Sequence, residues 1–119
     1  MATTTQKPTG IIKEGFVTKQ GGRIKTWKKR WCVLTPQGLL YYKIDERLSL
    51  VHRYQNLQGQ IDIDSIESVE AANEKGKKKF CFKINTPLRT FLITTEKQEE
   101  MDSWITAIKQ VLSQKHHHS

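Results

Sequence analysis

KQGGRIKTWKKR, running from Lys19 to Arg30, carries six basic residues and no acidic one. Gly21 and Gly22 interrupt it, and both flanks are strand-like: EGFVTK (Glu14–Lys19) before it, and WCVL (Trp31–Leu34) at its end. A glycine pair between two such runs predicts a β-hairpin. Its tip and walls are cationic, so its partner must be anionic.

Alternation along the strands divides these charges. Lys28, Arg30, Cys32 and Leu34 fall on one face of the second strand, and Lys29, Trp31 and Val33 on the other. Cys32 and Leu34 are core types, so Lys28 and Arg30 continue the core face outward to an open end. Gly15, Val17 and Lys19 share a face of the first strand in the same way. Two strands therefore deliver Lys19, Lys28 and Arg30 to one mouth. A guanidinium partly withdrawn from water there needs a counter-anion.

Outward from the hairpin, further short runs rich in β-branched and aromatic residues read as strands: 39–44, 60–63, 68–72, 79–85 and 90–94, after 13–20 and 28–34. Pro36-Gln37-Gly38 and Asn85-Thr86-Pro87 are the clearest turns. Residues 45–58 lack pattern and read as a long loop. One helix follows: Met101, Trp104, Ile105, Ile108, Val111 and Leu112 make a single apolar stripe. Thr95 and Gln98 have capping-box spacing, and Glu96, Glu99, Glu100 and Asp102 load the start with negative charge. Seven strands and one helix predict a mainly β fold, a partly open antiparallel barrel closed at one end by the C-terminal helix.

At 119 residues the chain suits one domain. Residues 1–10 read as a flexible lead-in, 11–114 as the domain, and 115–119 (KHHHS) as a tail or tag remnant rather than a metal site. The net charge is +8, and between Lys7 and Arg47 ten lysines and arginines stand against three acids. That asymmetry marks a binding face. Cys32 and Cys81 lie among apolar strand residues and read as buried thiols in a reducing compartment. The sequence has no run long and apolar enough to span a membrane and no signal-like start, so the expected location is cytoplasmic. No catalytic motif is present, and no cofactor is implied. Asp62 and Asp64 read as a solvated edge on one face of a short strand. Nucleic acid is disfavoured: there is no recognition helix or aromatic platform.

In this order, EGFVTKQGG (Glu14–Gly22), KTWKKRWCVL (Lys25–Leu34), LLYYK (Leu39–Lys43), RTFLITT (Arg89–Thr95) and Trp104 resemble a pleckstrin homology (PH) domain over about Lys13 to Ser113. The resemblance implies a seven-stranded barrel of two near-orthogonal sheets with one capping helix. Lys19, Lys28, Arg30 and Tyr41 match the pattern of members that bind 3-phosphoinositides. By that resemblance Lys19 and Arg30 meet the 3-phosphate with Tyr41 nearby, and Lys25 and Lys28 face the other phosphates. Arg89 matches an arginine of the protein kinase B group. Two departures stand out: Gln58 replaces an arginine found in some members, and only Asn85–Arg89 joins the last two strands.

The function implied is recognition of phosphatidylinositol 3,4,5-trisphosphate, 3,4-bisphosphate or both, recruiting a monomeric peripheral protein to the plasma membrane. Arg23 at the loop tip would join the phosphate contacts, and Ile24 would touch the bilayer. Gly21 and Gly22 would offer backbone N–H groups, and His52, Arg53 and Asn85 are further candidates. Lys77, Lys78 and Lys79 read as a solvated turn that could add surface attraction. The competing reading is a protein-interaction adaptor with weak, non-specific lipid binding, its groove near residues 68–72 and Lys109.

Overall fold

The computed structural model describes residues 7–45, 47, 49–72 and 80–117. Lys77, Lys78 and Lys79 lie outside the described residues. Seven antiparallel strands form one sheet in the order β4-β3-β2-β1-β7-β6-β5. They are β1 (Lys13–Gln20), β2 (Trp27–Thr35), β3 (Gly38–Lys43), β4 (Leu57–Asp62), β5 (Ser68–Ala72), β6 (Phe80–Asn85) and β7 (Thr90–Thr95). The sheet does not close on itself, since β4 and β5 are both outermost. Among the described residues, the backbone pairing between its two halves, β1–β4 and β5–β7, is Thr18 opposite Thr94 and Lys19 opposite Ile93, over a shared core. The two expected sheets are thus halves of one hydrogen-bonded surface.

Helix α1 (Gln98–His117) continues three residues into the segment that reads as a tail. It buries Met101, Trp104, Ile108 and Val111 against Phe82, Ile84 and Ile93 of the sheet. This is the stripe predicted from spacing, with Ile105 and Leu112 at its half-buried margins. The helix start differs from the expected capping box. The Thr95 hydroxyl donates to the Lys97 carbonyl at 2.9 Å, and Met101 N–H bonds the same residue, making Lys97 the helix boundary. The Glu100 carboxylate instead accepts from the Glu96 N–H at 3.3 Å. Thr95 is still the last residue of β7, and its backbone remains paired with Phe80.

Two further expectations fail around β4, which starts and ends earlier in the chain than the expected strand 60–63. Asp62 ends β4, while Ile63–Ser65 is a 3-10 turn, so Asp62 and Asp64 do not share a strand face. Residues 45–58 are not one patternless loop either: Leu50–His52 forms a 3-10 turn capped by the Ser49 hydroxyl, and β4 starts at Leu57.

Strand direction fixes which loops meet. Arg30 pairs with Lys43 and Lys19 with Lys28, so the β1–β2 loop and the end of β3 share one end of the barrel. Thr90 pairs with Asn85 at that end, whereas Thr95 pairs with Phe80 at the other, where α1 begins. The basic hairpin and the acidic helix start, Glu99 and Glu100, therefore occupy opposite ends.

Candidate anion site at the open end of the barrel

The parity argument holds in three dimensions. Cys32 and Leu34 are fully buried, Arg30 is half-buried and Lys28 exposed, a graded passage from core to rim along one face. On β1, Val17 is buried and Lys19 is only 8% exposed. Lysine is rarely buried without a partner. The Lys19 ammonium stands 4.1 Å from the Tyr41 ring centre and 5.6 Å from that of Phe91. These aromatic faces compensate part of its lost hydration.

Among the described residues Lys19, Lys28, Arg30 and Arg89 have no carboxylate within 4 Å, the ion pairs lying elsewhere. The Cys32 thiol beneath them is pushed up to about 12 by burial, against the opposing pull of Lys19 and Arg30, and so stays neutral. Burial also raises the Tyr41 phenol. The Lys19 ammonium is depressed, first by burial and then by the neighbouring Arg89 charge, and Arg30 is depressed by burial. Among the described residues the site is a concentration of positive charge with no internal anion.

Lys19, Gly21, Arg23, Ile24, Thr26, Lys28, Arg30 and Gln58 line a cleft of about 340 Å³. Lys25 is exposed on the same loop but does not line it. Arg89 also does not line it but stands beside it, coming from the β6–β7 turn with its guanidinium 3.9 Å from the Phe91 ring centre and against Gly22. A Cβ at Gly22 would collide with that guanidinium. Gly21 differs from expectation: its N–H donates to Thr26 O at 2.9 Å and closes the loop, so it is not a spare donor in this structure.

Three candidates are held outside the cleft. Arg53 lies on the outer face of the sheet, its guanidinium 5.5 Å from the Trp31 ring centre and 3.8 Å from Glu14. The Glu14 carboxylate accepts from Trp31 Nε1 at 3.0 Å and Tyr54 OH at 2.6 Å, folding the β3–β4 loop back on that face. His52, exposed on the same loop, pairs with Gln55. Asn85 donates to Ser68 and Glu70 and accepts from Thr90. Of the adjacent tyrosines, Tyr42 is buried and stacks edge-on with Tyr54, while Tyr41 is half-buried with its ring against Lys19.

Sequence reasoning missed Gly59, and counted Gln58 only as a departure. Gly59 faces Tyr41 across β3 and β4, and the Tyr41 ring lies where a Cβ at position 59 would stand. A glycine inside a strand is the usual signal of such a close approach. Gly59→Val should displace the Tyr41 ring from Lys19 and overpack the sheet, at about 1–3 kcal/mol. The expected result is a lower denaturation midpoint in urea with an unchanged slope. Unchanged stability would show that Tyr41 can leave Gly59 freely.

Similar proteins were found by sequence and by structure. The chain is 36% identical over 102 residues to a human dual adapter for phosphotyrosine and 3-phosphotyrosine and 3-phosphoinositide, covering 86% of this chain and 34% of that protein. It is 36% identical over 95 residues to a RAC family serine/threonine-protein kinase homolog of Dictyostelium discoideum, covering 80% of this chain and 20% of the kinase. The chain thus spans a fifth to a third of these relatives. The carboxyl-terminal PH domain of pleckstrin, solved in complex with D-myo-Ins(1,2,3,4,5)P5, superposes with a TM-score of 0.65 at 29% identity, covering 85% of this chain and 97% of that one. The PH domain family model matches residues 11–113, and with the seven-strand sheet and closing helix this establishes that the chain belongs to the PH domain family.

Proposed function

We propose that this domain is a membrane-targeting module that binds the headgroups of 3-phosphorylated phosphoinositides, the 3,4,5-trisphosphate and the 3,4-bisphosphate. The observation that carries the reading is Lys19: a lysine 8% exposed, without a carboxylate partner among the described residues, beside Arg30 and Arg89. Folding pays for such an arrangement in stability, and a multiply charged ligand removes the cost. In this reading Lys19 and Arg30 hold the deepest phosphate, Lys28 and Arg89 flank it, and Arg23 and Lys25 act from the loop.

A phosphate group suits the site because a guanidinium binds it through two parallel hydrogen bonds and an ammonium as a compact charge. Bonds to charged groups contribute roughly 1.5–3 kcal/mol each. The relatives named for 3-phosphoinositide and the pleckstrin domain with a bound inositol pentakisphosphate support this ligand class. The opposite placement of basic loop and acidic helix start supports recruitment to the cytosolic leaflet of the plasma membrane, since an anionic surface would draw the mouth inward and repel the helix end. No helix among the described residues is long and apolar enough to cross a membrane.

The test is binding to vesicles matched in total charge, containing either phosphatidylserine alone or phosphatidylinositol 3,4,5-trisphosphate. Retention should rise steeply with the trisphosphate. Equal retention on both would reduce the site to a non-specific basic patch and end the proposal.

A further inference from the structure

The two most exposed apolar side chains near the cleft have no role inside the protein. Leu88 is 94% exposed at the tip of the β6–β7 turn, and Ile24 is 71% exposed at the tip of the β1–β2 loop. Both tips are held by backbone bonds. Thr86 N–H donates to Arg89 O at 2.9 Å, and Arg89 N–H donates to the Thr86 hydroxyl at 3.2 Å, fixing Pro87 and Leu88 outward. Thr26 N–H donates to Ile24 O at 2.8 Å, and Gly21 N–H to Thr26 O. The two loops touch where Arg89 lies on Gly22. Leu88 and Ile24 are therefore presented together at the barrel's open end on ordered turns, so little conformational entropy remains to be lost on docking.

We infer that Leu88 is a second apolar anchor, inserting with Ile24 into the interfacial layer of an anionic bilayer when the cleft engages its ligand. The argument for lipid over a protein surface is charge. Exposed Arg23 and Lys25 flank Ile24, exposed Lys28 lines the cleft with it, and Arg89 follows Leu88, none with a carboxylate within 4 Å among the described residues. Apolar side chains ringed by basic ones suit an interface whose outer layer is anionic and whose interior is hydrocarbon. The inference rests on the proposed headgroup reading for what brings the mouth to the membrane. Arg89 then has a double part: its guanidinium lies on Gly22 and the Phe91 ring beside the cleft, while its backbone closes the turn that carries Leu88.

Cys32 and Cys81 are buried, so a Leu88→Cys protein can be labelled at position 88 with an environment-sensitive fluorophore. The vesicles are phosphatidylcholine with phosphatidylserine, with and without phosphatidylinositol 3,4,5-trisphosphate at matched charge. A blue shift on vesicle-bound protein supports insertion. So does release of Leu88→Ser from trisphosphate vesicles about tenfold faster than wild type, equivalent to about 1.4 kcal/mol, with affinity for soluble inositol 1,3,4,5-tetrakisphosphate unchanged. A bound protein whose label does not shift, or a Leu88→Ser protein released at the wild-type rate, overturns it. Failure of the headgroup reading looks different. The tetrakisphosphate then does not bind and the trisphosphate adds nothing, while the label on phosphatidylserine vesicles still decides insertion. Absence of any vesicle binding overturns both.

Discussion

Lys19→Met is expected to weaken headgroup binding about 100-fold, the loss of about two charge-assisted bonds, while making the free domain more stable. The two effects have one cause. Lys19 is buried at the end of β1 beside Arg30 and Arg89, without a carboxylate partner among the described residues, and both burial and the Arg89 charge depress its ammonium. In the free protein that charge is unfavourable, and the Tyr41 and Phe91 rings return only part of its hydration. An apolar side chain of similar length avoids the cost, and replacement of buried charge by well-packed apolar groups is often stabilising. For a domain of this size about 1 kcal/mol corresponds to a melting-temperature rise of roughly 4–8 °C.

The pH dependence has a definite sign. The folded-state pKa of Lys19 lies below its ordinary value of 10.5, so between the two the unfolded chain holds a proton that the folded one has lost. The lysine penalty is full below the folded value and disappears as pH rises toward 10.5. Cys32 acts oppositely: its folded thiol stays protonated to about 12 while the unfolded one ionises near 9.0, so stability falls above that pH. Below pH 9.0, where the Cys32 thiol is protonated in both states, comparison of wild type with Lys19→Met reads the lysine contribution alone, and calorimetry with thermal melts measures binding and stability. If Lys19→Met melts well below wild type while its binding is unchanged, Lys19 is a packing residue and the site is misassigned.

The part of this site legible in the sequence was the part governed by strand parity. The bounds of β1, Lys13–Gln20, and the inward line Lys28, Arg30, Cys32, Leu34 follow from a period of two and need no knowledge of other strands. The helix stripe through Met101 and Trp104 was legible for the same reason, its period being local. Long-range choices were not. Glu14 and Tyr54 are 40 residues apart, and their hydrogen bond holds the β3–β4 loop on the outer face, with Arg53 on the Trp31 side. Nothing near Arg53 signals this, because the carboxylate that attracts it belongs to β1. Gly59 is similar: a glycine beside a strand run hints at a close approach, but that its neighbour is the Tyr41 ring follows only from the β3–β4 register. Gly21 was read as a donor to a ligand because glycine permits close approach, but its N–H is occupied by the loop's own Thr26 carbonyl.

Arg30→Ala and Lys29→Ala provide the sharpest separation between a selective pocket and a basic surface. Each removes one positive charge from adjacent positions on β2, so a surface that senses only net charge responds equally to both. Parity predicts otherwise. The Arg30 side chain lines the cleft. The Lys29 ammonium is on the other face, 4.4 Å from the Phe16 ring centre, beside the edge-on pair of Phe16 and Trp31. Arg30→Ala should therefore lower affinity for soluble inositol 1,3,4,5-tetrakisphosphate by about 100-fold, the loss of a bidentate guanidinium at roughly 1.5–3 kcal/mol per bond. Lys29→Ala should change it by no more than about twofold, because a solvated charge across the sheet is screened. Stability should reverse the order. Lys29→Ala gives up a cation–aromatic contact at the surface, about 0.5–1 kcal/mol, whereas Arg30→Ala relieves repulsion around Lys19, to which Arg30 contributes. Titration calorimetry with the soluble headgroup excludes the membrane's own surface potential from the comparison. Equal losses in the two variants would mean that the mouth collects charge without reading a ligand, and the alternation along β2 would then serve the fold alone.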